Sequence, residues 1–68
     1  MQISARNQLK GTVTGVTTGT VMAEVAVDVG GQEVIAAITR ASVESLNLTR
    51  GDAVTVVIKA TEVILAKE

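Results

Sequence analysis

The fold of this chain is decided by residues 21–38, whose sequence is VMAEVAVDVGGQEVIAAI. In the first half of this stretch every second side chain is apolar and falls on one face: Val21, Ala23, Val25, Val27 and Val29. A period of two predicts a half-buried β-strand over 21–29. Gly30 and Gly31 follow directly, and two glycines between strands favour a tight hairpin turn. The stretch therefore predicts an antiparallel hairpin.

The returning strand of this hairpin, Gln32–Ile38, is apolar on both faces from Val34 onward. A strand of that kind is covered on both sides in the folded protein. A chain of 68 residues has little material with which to build the second cover. The sequence therefore predicts that a second copy of the chain provides it.

Further elements are predicted outward from the hairpin. Before it, Leu9–Val16 is predicted as a strand that Gly11 and Gly15 bend or bulge. The remaining elements are a turn at 17–20, a short helix within 39–48 capped by Thr39 or Ser42, a turn at 49–52, a strand at 53–59 and a short strand at 62–65.

The predicted fold class is mostly β, since 26 of the 68 residues are Val, Ile or Thr, which favour strands. Five strands with one short helix between the third and the fourth match a small OB-like Greek-key barrel. An open sheet with a helix at one end fits the same order of elements. Residues 1–68 are predicted to form a single domain, because so short a chain cannot build two cores.

The composition excludes several classes of function. The chain has no Cys, no His, no Pro and no aromatic residue, and its formal net charge is −1. It therefore offers no thiolate nucleophile, no zinc site of the usual kind, no aromatic platform for nucleic-acid bases and no surplus of basic residues for a phosphate backbone. Neither an enzyme nor a nucleic-acid partner is expected.

The same composition indicates how so small a chain is stabilised. Small domains are commonly supported by disulfides, by a metal or by assembly into oligomers, and of these three only the last is open to this chain; the alternative is a monomer with a tightly idealised fold. No stretch is apolar enough over its length for a signal peptide or a membrane span. The sequence therefore predicts a cytoplasmic homo-oligomer without a membrane partner.

Three short stretches combine hydrogen-bond donors with positive charge on an otherwise apolar chain. Arg6 lies within SARNQ at 4–8, Lys59 is followed by Ala60 and Thr61, and the predicted helix starts in TRAS at 39–42. Several donors with one or two positive charges suit a compact oxyanion, and a helix start adds free N–H groups. Helix caps and ordinary surface charges explain the same residues equally well. The composition of these stretches therefore leaves two interpretations open, an oxyanion site and ordinary capping and surface residues.

Four motifs then make the chain similar to a known family. They are ISARNQLKG at 3–11, ITRASV at 38–43, LNLTRG at 46–51 and IKATEV at 58–63. With these motifs, which span nearly the whole chain, the sequence strongly resembles the molbindin family, the small molybdate-binding Mop domain. The resemblance also extends to molybdate-responsive regulators and transporter ATPases, in which the same domain is fused to other modules.

The resemblance implies an OB-like barrel that assembles into a homohexamer, a trimer of dimers, with molybdate or tungstate held between subunits. It implies no cofactor, and no direct coordination of the metal by protein side chains. The implied pocket takes Ser4 and Arg6 from one subunit and four residues from its neighbour: Thr39, Ser42, Lys59 and Ala60, the last through its backbone N–H. Asn7 and Thr61 adjoin these positions as secondary candidates.

Two functions follow from this resemblance as hypotheses. The first is a cytoplasmic protein that binds molybdate or tungstate for molybdenum storage and homeostasis, without making or breaking a covalent bond. The alternative is an oxyanion-responsive regulatory or protein-interaction module. A nucleic-acid-binding barrel fits poorly, because the chain lacks the basic and aromatic face that such a barrel needs.

Overall fold

The computed structural model describes residues 1–68 and contains one antiparallel sheet, one α-helix and one 3₁₀ turn. The elements in chain order are β1 (Asn7–Thr18), β2 (Met22–Val29), β3 (Gln32–Thr39), α1 (Arg40–Leu46), β4 (Ala53–Ile58) and the 3₁₀ turn (Ala60–Glu62). Neighbouring strands lie in the order β3-β2-β1-β4. The mostly β class with a short helix between the third and the fourth strand is confirmed.

The hairpin predicted from residues 21–38 is present as β2 and β3. Its strands pair from Val29 opposite Gln32 to Met22 opposite Thr39. Gly30 and Gly31 connect them with φ values of 58° and 87°. Positive φ at both central residues is what a hairpin turn of the primed type requires, and glycine adopts it without a steric penalty.

Strand β1 is long enough to pair with two neighbours along its length. Residues 7–12 pair with β4, and residues 12–18 pair with β2. The register shifts between Val13 and Gly15, and the hydroxyl of the intervening Thr14 donates to the Ala26 carbonyl at 3.2 Å. The predicted irregularity of this strand is confirmed as a bulge, which bends β1 between its two partners.

The core lies on one face of the sheet beneath the helix and consists of small aliphatic side chains. Only five residues are buried: Val13, Ala23, Val25, Val27 and Val43. The first four come from β1 and β2, and Val43 comes from the helix. So few buried side chains make a small core for an isolated chain, as the composition predicts.

Helix α1 lies within the predicted range 39–48 and is capped at both ends. Thr39 is the N-cap: its Oγ1 accepts a hydrogen bond from the Ser42 N–H at 3.0 Å. Asn47 ends the helix in the left-handed conformation with φ 51°. The predicted turn after it is present and is bonded to β1: the Gly51 N–H donates to the Val13 carbonyl at 2.8 Å, and the Val13 N–H donates to the Asp52 carbonyl at 2.9 Å.

The prediction of a fifth strand at 62–65 is wrong for the single chain. After β4 the backbone forms the 3₁₀ turn, and Ile64 and Leu65 that follow are each 91% exposed. The outer edges of β3 and β4 have no partner strand, so the sheet is open and the predicted barrel is not closed. A strand persists only where a neighbouring edge satisfies its backbone groups, and the segment after the 3₁₀ turn pairs with no strand of this chain.

Candidate oxyanion-binding site

Two of the candidate cations lie at the same end of the molecule, where β1 begins and β4 ends. Asn7 pairs with Ile58 as the last residue pair of the β1–β4 ladder, and the Asn7 Nδ2 donates to the Ile58 carbonyl at 3.2 Å. Arg6 precedes this pair and Lys59 follows it. Opposite residues of paired strands have Cα atoms about 5 Å apart, so the ladder brings the two cations to one end of the molecule.

The backbone near these cations is ordered by local hydrogen bonds. The Gln8 Nε2 donates to the Ala5 carbonyl at 2.7 Å, which holds the segment carrying Ser4 against the start of β1. On the other chain segment, the Glu62 N–H donates to the Lys59 carbonyl at 2.9 Å. Ala60 begins this 3₁₀ turn, so its N–H has no acceptor within the turn. We name Ser4, Arg6, Lys59 and Ala60 the cationic half-site.

The charges of the cationic half-site are uncompensated within the chain. The only ion pair joins the Arg40 Nε to Glu44 Oε1 at 3.5 Å along the exposed face of α1. Arg6 and Lys59 are exposed and have no carboxylate partner. Two free cations together with hydroxyl and N–H donors are complementary to a dianion. No group of three or more acidic or His residues that could hold a metal ion is present.

A second cluster lies where β3 passes into the helix. The Thr39 Oγ1 and Ser42 Oγ are 2.7 Å apart, so one hydroxyl donates to the other and one proton stays available for an acceptor. We name Thr39 and Ser42 the hydroxyl half-site. Two of the N–H groups expected to be free at this helix start are occupied: the Ser42 N–H donates to Thr39 Oγ1, and the Arg40 N–H donates to the Val21 carbonyl at 2.7 Å.

The two half-sites of one chain lie far apart. Thr39 pairs with Met22, beside the end of β1 at Thr18, whereas the cationic half-site lies at the opposite end of β1. The 12 residues of β1 correspond to roughly 35 Å of strand, and the chain as a whole measures 36 × 28 × 22 Å. The donors around one oxyanion lie within a few ångströms of each other. One chain therefore presents two separate halves of a site.

This arrangement groups the candidates differently from the expected pocket. Lys59 and Ala60 lie at the same end of the chain as Arg6, and the structure does not bring them together with Thr39 and Ser42 of that chain. The secondary candidates Asn7 and Thr61 also lie at the cationic end, and the Asn7 amide is already bonded to Ile58. Gln8 was not among the predicted residues, although it lies within the ISARNQLKG motif and its side chain holds the segment before β1 in place.

Comparisons with known proteins show similarity to a domain family and to small molybdenum-related binding proteins. Residues 3–65 match the TOBE domain model. Molybdenum-pterin-binding protein 1 of Clostridium pasteurianum is 46% identical over 66 residues, which cover 96% of this chain and 97% of that protein. The solved structure of a molybdate binding protein from Sporomusa ovata superposes with a TM-score of 0.94 at 49% identity, covering 98% of this chain and all of that one.

Longer proteins contain the same unit. A structure of the cytoplasmic molybdate-binding protein ModG, with molybdate bound, matches 88% of this chain with a TM-score of 0.83 at 43% identity, over 43% of its own length. Molybdenum transport protein ModE of Azotobacter vinelandii is 42% identical over 69 residues, which make up 26% of that protein.

The chain belongs to the TOBE domain family. Within that family it is of the small molbindin type, and the resemblance drawn from its four motifs is confirmed. The relatives of similar length bear the names of binding proteins and not of enzymes. No helix of the structure has the length and the apolar character needed to cross a membrane.

Proposed function

We propose that this protein binds molybdate, with tungstate as a close competitor, between copies of the chain in a homo-oligomer. The observation that carries the proposal is the separation of two complementary half-sites at opposite ends of one chain. The names of the relatives from Clostridium pasteurianum and Sporomusa ovata support the choice of oxyanion.

The geometry favours one division of the pocket between two chains. The cationic half-site of one copy supplies Ser4, Arg6, Lys59 and the Ala60 N–H, and the hydroxyl half-site of the next copy supplies Thr39 and Ser42. The two cations offset the charge of the dianion, and the neutral donors hold its oxygens. Hydrogen bonds to an ionised acceptor are roughly twice as strong as those between neutral groups, so few donors suffice.

The proposed role is storage of the oxyanion for molybdenum homeostasis in the cytoplasm. The chain covers 97% of molybdenum-pterin-binding protein 1 and all of the molybdate binding protein from Sporomusa ovata, and these names support a binding role. The ModG structure, described as a cytoplasmic molybdate-binding protein, supports the compartment. We propose a hexamer built as a trimer of dimers, as the resemblance implies. No covalent chemistry is part of this function.

Isothermal titration on protein whose mass is known from light scattering tests this function. We expect tight binding of molybdate and tungstate, weak binding of sulfate, and one such site per chain of the oligomer, because each chain contributes one half-site of each kind. Binding should also raise the melting temperature with ligand concentration, because only the assembled state offers a complete site. No heat with either metal oxyanion on an intact oligomer would refute the proposal.

Replacing Ser42 with alanine separates ligand binding from helix capping. The hydrogen bond from the Ser42 N–H to Thr39 Oγ1 uses the backbone and survives the change, whereas the Ser42 hydroxyl is lost. We expect near-wild-type stability and molybdate binding weaker by roughly tenfold, the equivalent of one hydrogen bond to a charged acceptor.

The control for this variant is Thr39→Ala, which removes the capping oxygen as well. It should lose about 1 kcal/mol of unfolding free energy in addition to affinity. Calorimetry and thermal melts of both variants give the two quantities. A Ser42→Ala protein that binds molybdate as tightly as the wild type would remove the hydroxyl half-site from the proposal.

An oxyanion-responsive regulatory or interaction module is the second candidate. The match of this chain to about a quarter of the ModE sequence favours it, because that longer protein combines the same unit with other segments. A pulldown from cell extract, with and without molybdate, discriminates the two functions. A stoichiometric partner captured only with molybdate would favour regulation, whereas the storage role predicts none.

A further inference from the structure

Residues 1–6 carry two members of the cationic half-site, Ser4 and Arg6, outside any regular structure. They form no strand or helix, and none of their backbone groups takes part in a backbone–backbone hydrogen bond. The one hydrogen bond that they make within the chain is accepted by the Ala5 carbonyl from the Gln8 Nε2 at 2.7 Å. A chain terminus is poorly ordered unless it is tied down. The Gln8 amide supplies that tie.

Lys59 lies just beyond the end of the ladder between β1 and β4. Asn7 opposite Ile58 is the last pair of this ladder, and the 3₁₀ turn begins only at Ala60. The Asn7 Nδ2 donates to the Ile58 carbonyl at 3.2 Å, from a half-buried position. A second side-chain amide therefore holds the backbone directly before the second cation.

The two amide bonds have the same geometry. The Gln8 bond ends on the carbonyl that directly precedes Arg6, and the Asn7 bond ends on the carbonyl that directly precedes Lys59. Such a carbonyl shares one planar peptide unit with the N–H of the residue that follows it. Fixing the carbonyl therefore fixes the direction in which the backbone enters each cationic residue. Consecutive side chains of a strand point to opposite faces, so the start of one strand can hold both segments.

We propose that Gln8 and Asn7 are positioning residues of the oxyanion site, with Gln8 fixing Arg6 and Asn7 fixing Lys59 before the ligand binds. The link to ligand affinity rests on the proposed function. A donor that is ordered in advance loses less conformational entropy on binding than a flexible one. In this role Asn7 acts through Lys59, and not as the secondary ligand suggested by its place in the sequence.

The first test is Gln8→Met, which removes the amide donor at nearly constant size. Gln8 is exposed, so we expect the oligomer mass and the melting temperature without ligand to stay near those of the wild type. Molybdate affinity should fall by roughly three- to tenfold, the cost of ordering one or two donors on binding. The control Gln32→Met makes the same exchange at an exposed residue beside the hairpin turn and should bind as the wild type.

A double-variant cycle shows whether the effect of Gln8 passes through Arg6. In the Arg6→Ala protein there is no guanidinium to position, so adding Gln8→Met should lower the affinity by about twofold or less. A merely structural role would give the same factor in both backgrounds. The corresponding cycle combines Lys59→Ala with Asn7→Leu, which keeps the branched shape without a donor, and Asn7→Ala repeats it with a smaller side chain.

Backbone amide relaxation measured by NMR on the full chain without ligand gives a readout that is independent of molybdate. The order parameter of the Arg6 N–H should fall in Gln8→Met, whereas the values in β2 should not change. Wild-type molybdate affinity in Gln8→Met, or equal losses in both backgrounds of the cycle, would overturn the inference. If the wild type itself binds no molybdate, the proposed function fails. A lowered Arg6 order parameter would then still support the positioning by Gln8, and an unchanged one would refute it.

Discussion

Replacing Arg6 with alanine is expected to weaken molybdate binding by roughly 10–100-fold while the oligomer keeps its mass. Arg6 is exposed and without an ion-pair partner in the chain, so its removal leaves no buried carboxylate unpaired and should not disturb the fold. A hydrogen bond to a charged group contributes about 1.5–3 kcal/mol, and each 1.4 kcal/mol is a factor of ten in affinity. Titration calorimetry with parallel light scattering measures both quantities.

Two further variants show whether the guanidinium itself is required. Arg6→Lys keeps the charge but loses the planar pair of donors, so an intermediate affinity is expected. Arg50→Ala removes an exposed cation in the turn after the helix, away from both half-sites, and should bind as the wild type. Equal losses in Arg6→Ala and Arg50→Ala would indicate a general charge effect and contradict the cationic half-site.

Replacing Gly11 with alanine is expected to lower the free energy of unfolding by about 1–3 kcal/mol, the usual range for overpacking a close contact. A Cβ atom at this position would lie 2.6 Å from the Asp28 carbonyl oxygen and 2.7 Å from Val27 Cγ1. Val29 Cγ2 would be 3.0 Å away. The nearest atom belongs to the backbone of β2, so relief requires β1 and β2 to move apart.

The matched control is Gly15→Ala in the same strand. A Cβ atom there meets nothing within 4 Å, and the residue does not adopt a positive φ. Its unfolding free energy should equal or slightly exceed that of the wild type, since alanine reduces the entropy of the unfolded chain. Melts at matched protein concentration give the comparison, because assembly couples stability to concentration. Similar melting of the two variants would contradict the close contact at Gly11.

Local sequence patterns predicted most of the fold. The alternation over 21–29, the two glycines after it and the change of period at 39 each depend on interactions within a few residues of one another. The structure confirms the hairpin, the bulge of β1 and the helix at these places. Patterns of this kind are reliable because backbone geometry and the alternation of side chains are set locally.

The site was predicted only as a set of residues. The motifs contain the residues of both proposed half-sites, but the grouping of Lys59 and Ala60 with Arg6 depends on the pairing of β1 with β4, in which Asn7 lies opposite Ile58. At the helix start, the hydrogen bond from the Ser42 N–H to Thr39 is a local cap, whereas the bond from the Arg40 N–H to the Val21 carbonyl depends on a contact between segments distant in sequence.

By itself, then, the sequence determined the family, the approximate positions of β1 to β4 and of the helix, and the residues that form the turns. It also determined which side chains carry hydrogen-bond donors and charge. Only the tertiary structure decided that 62–65 forms no strand in its own chain and that the two half-sites lie at opposite ends of β1. The reason is physical: strand propensity resides in a segment, but a strand needs an edge to pair with. The location of that edge is set by contacts distant in sequence.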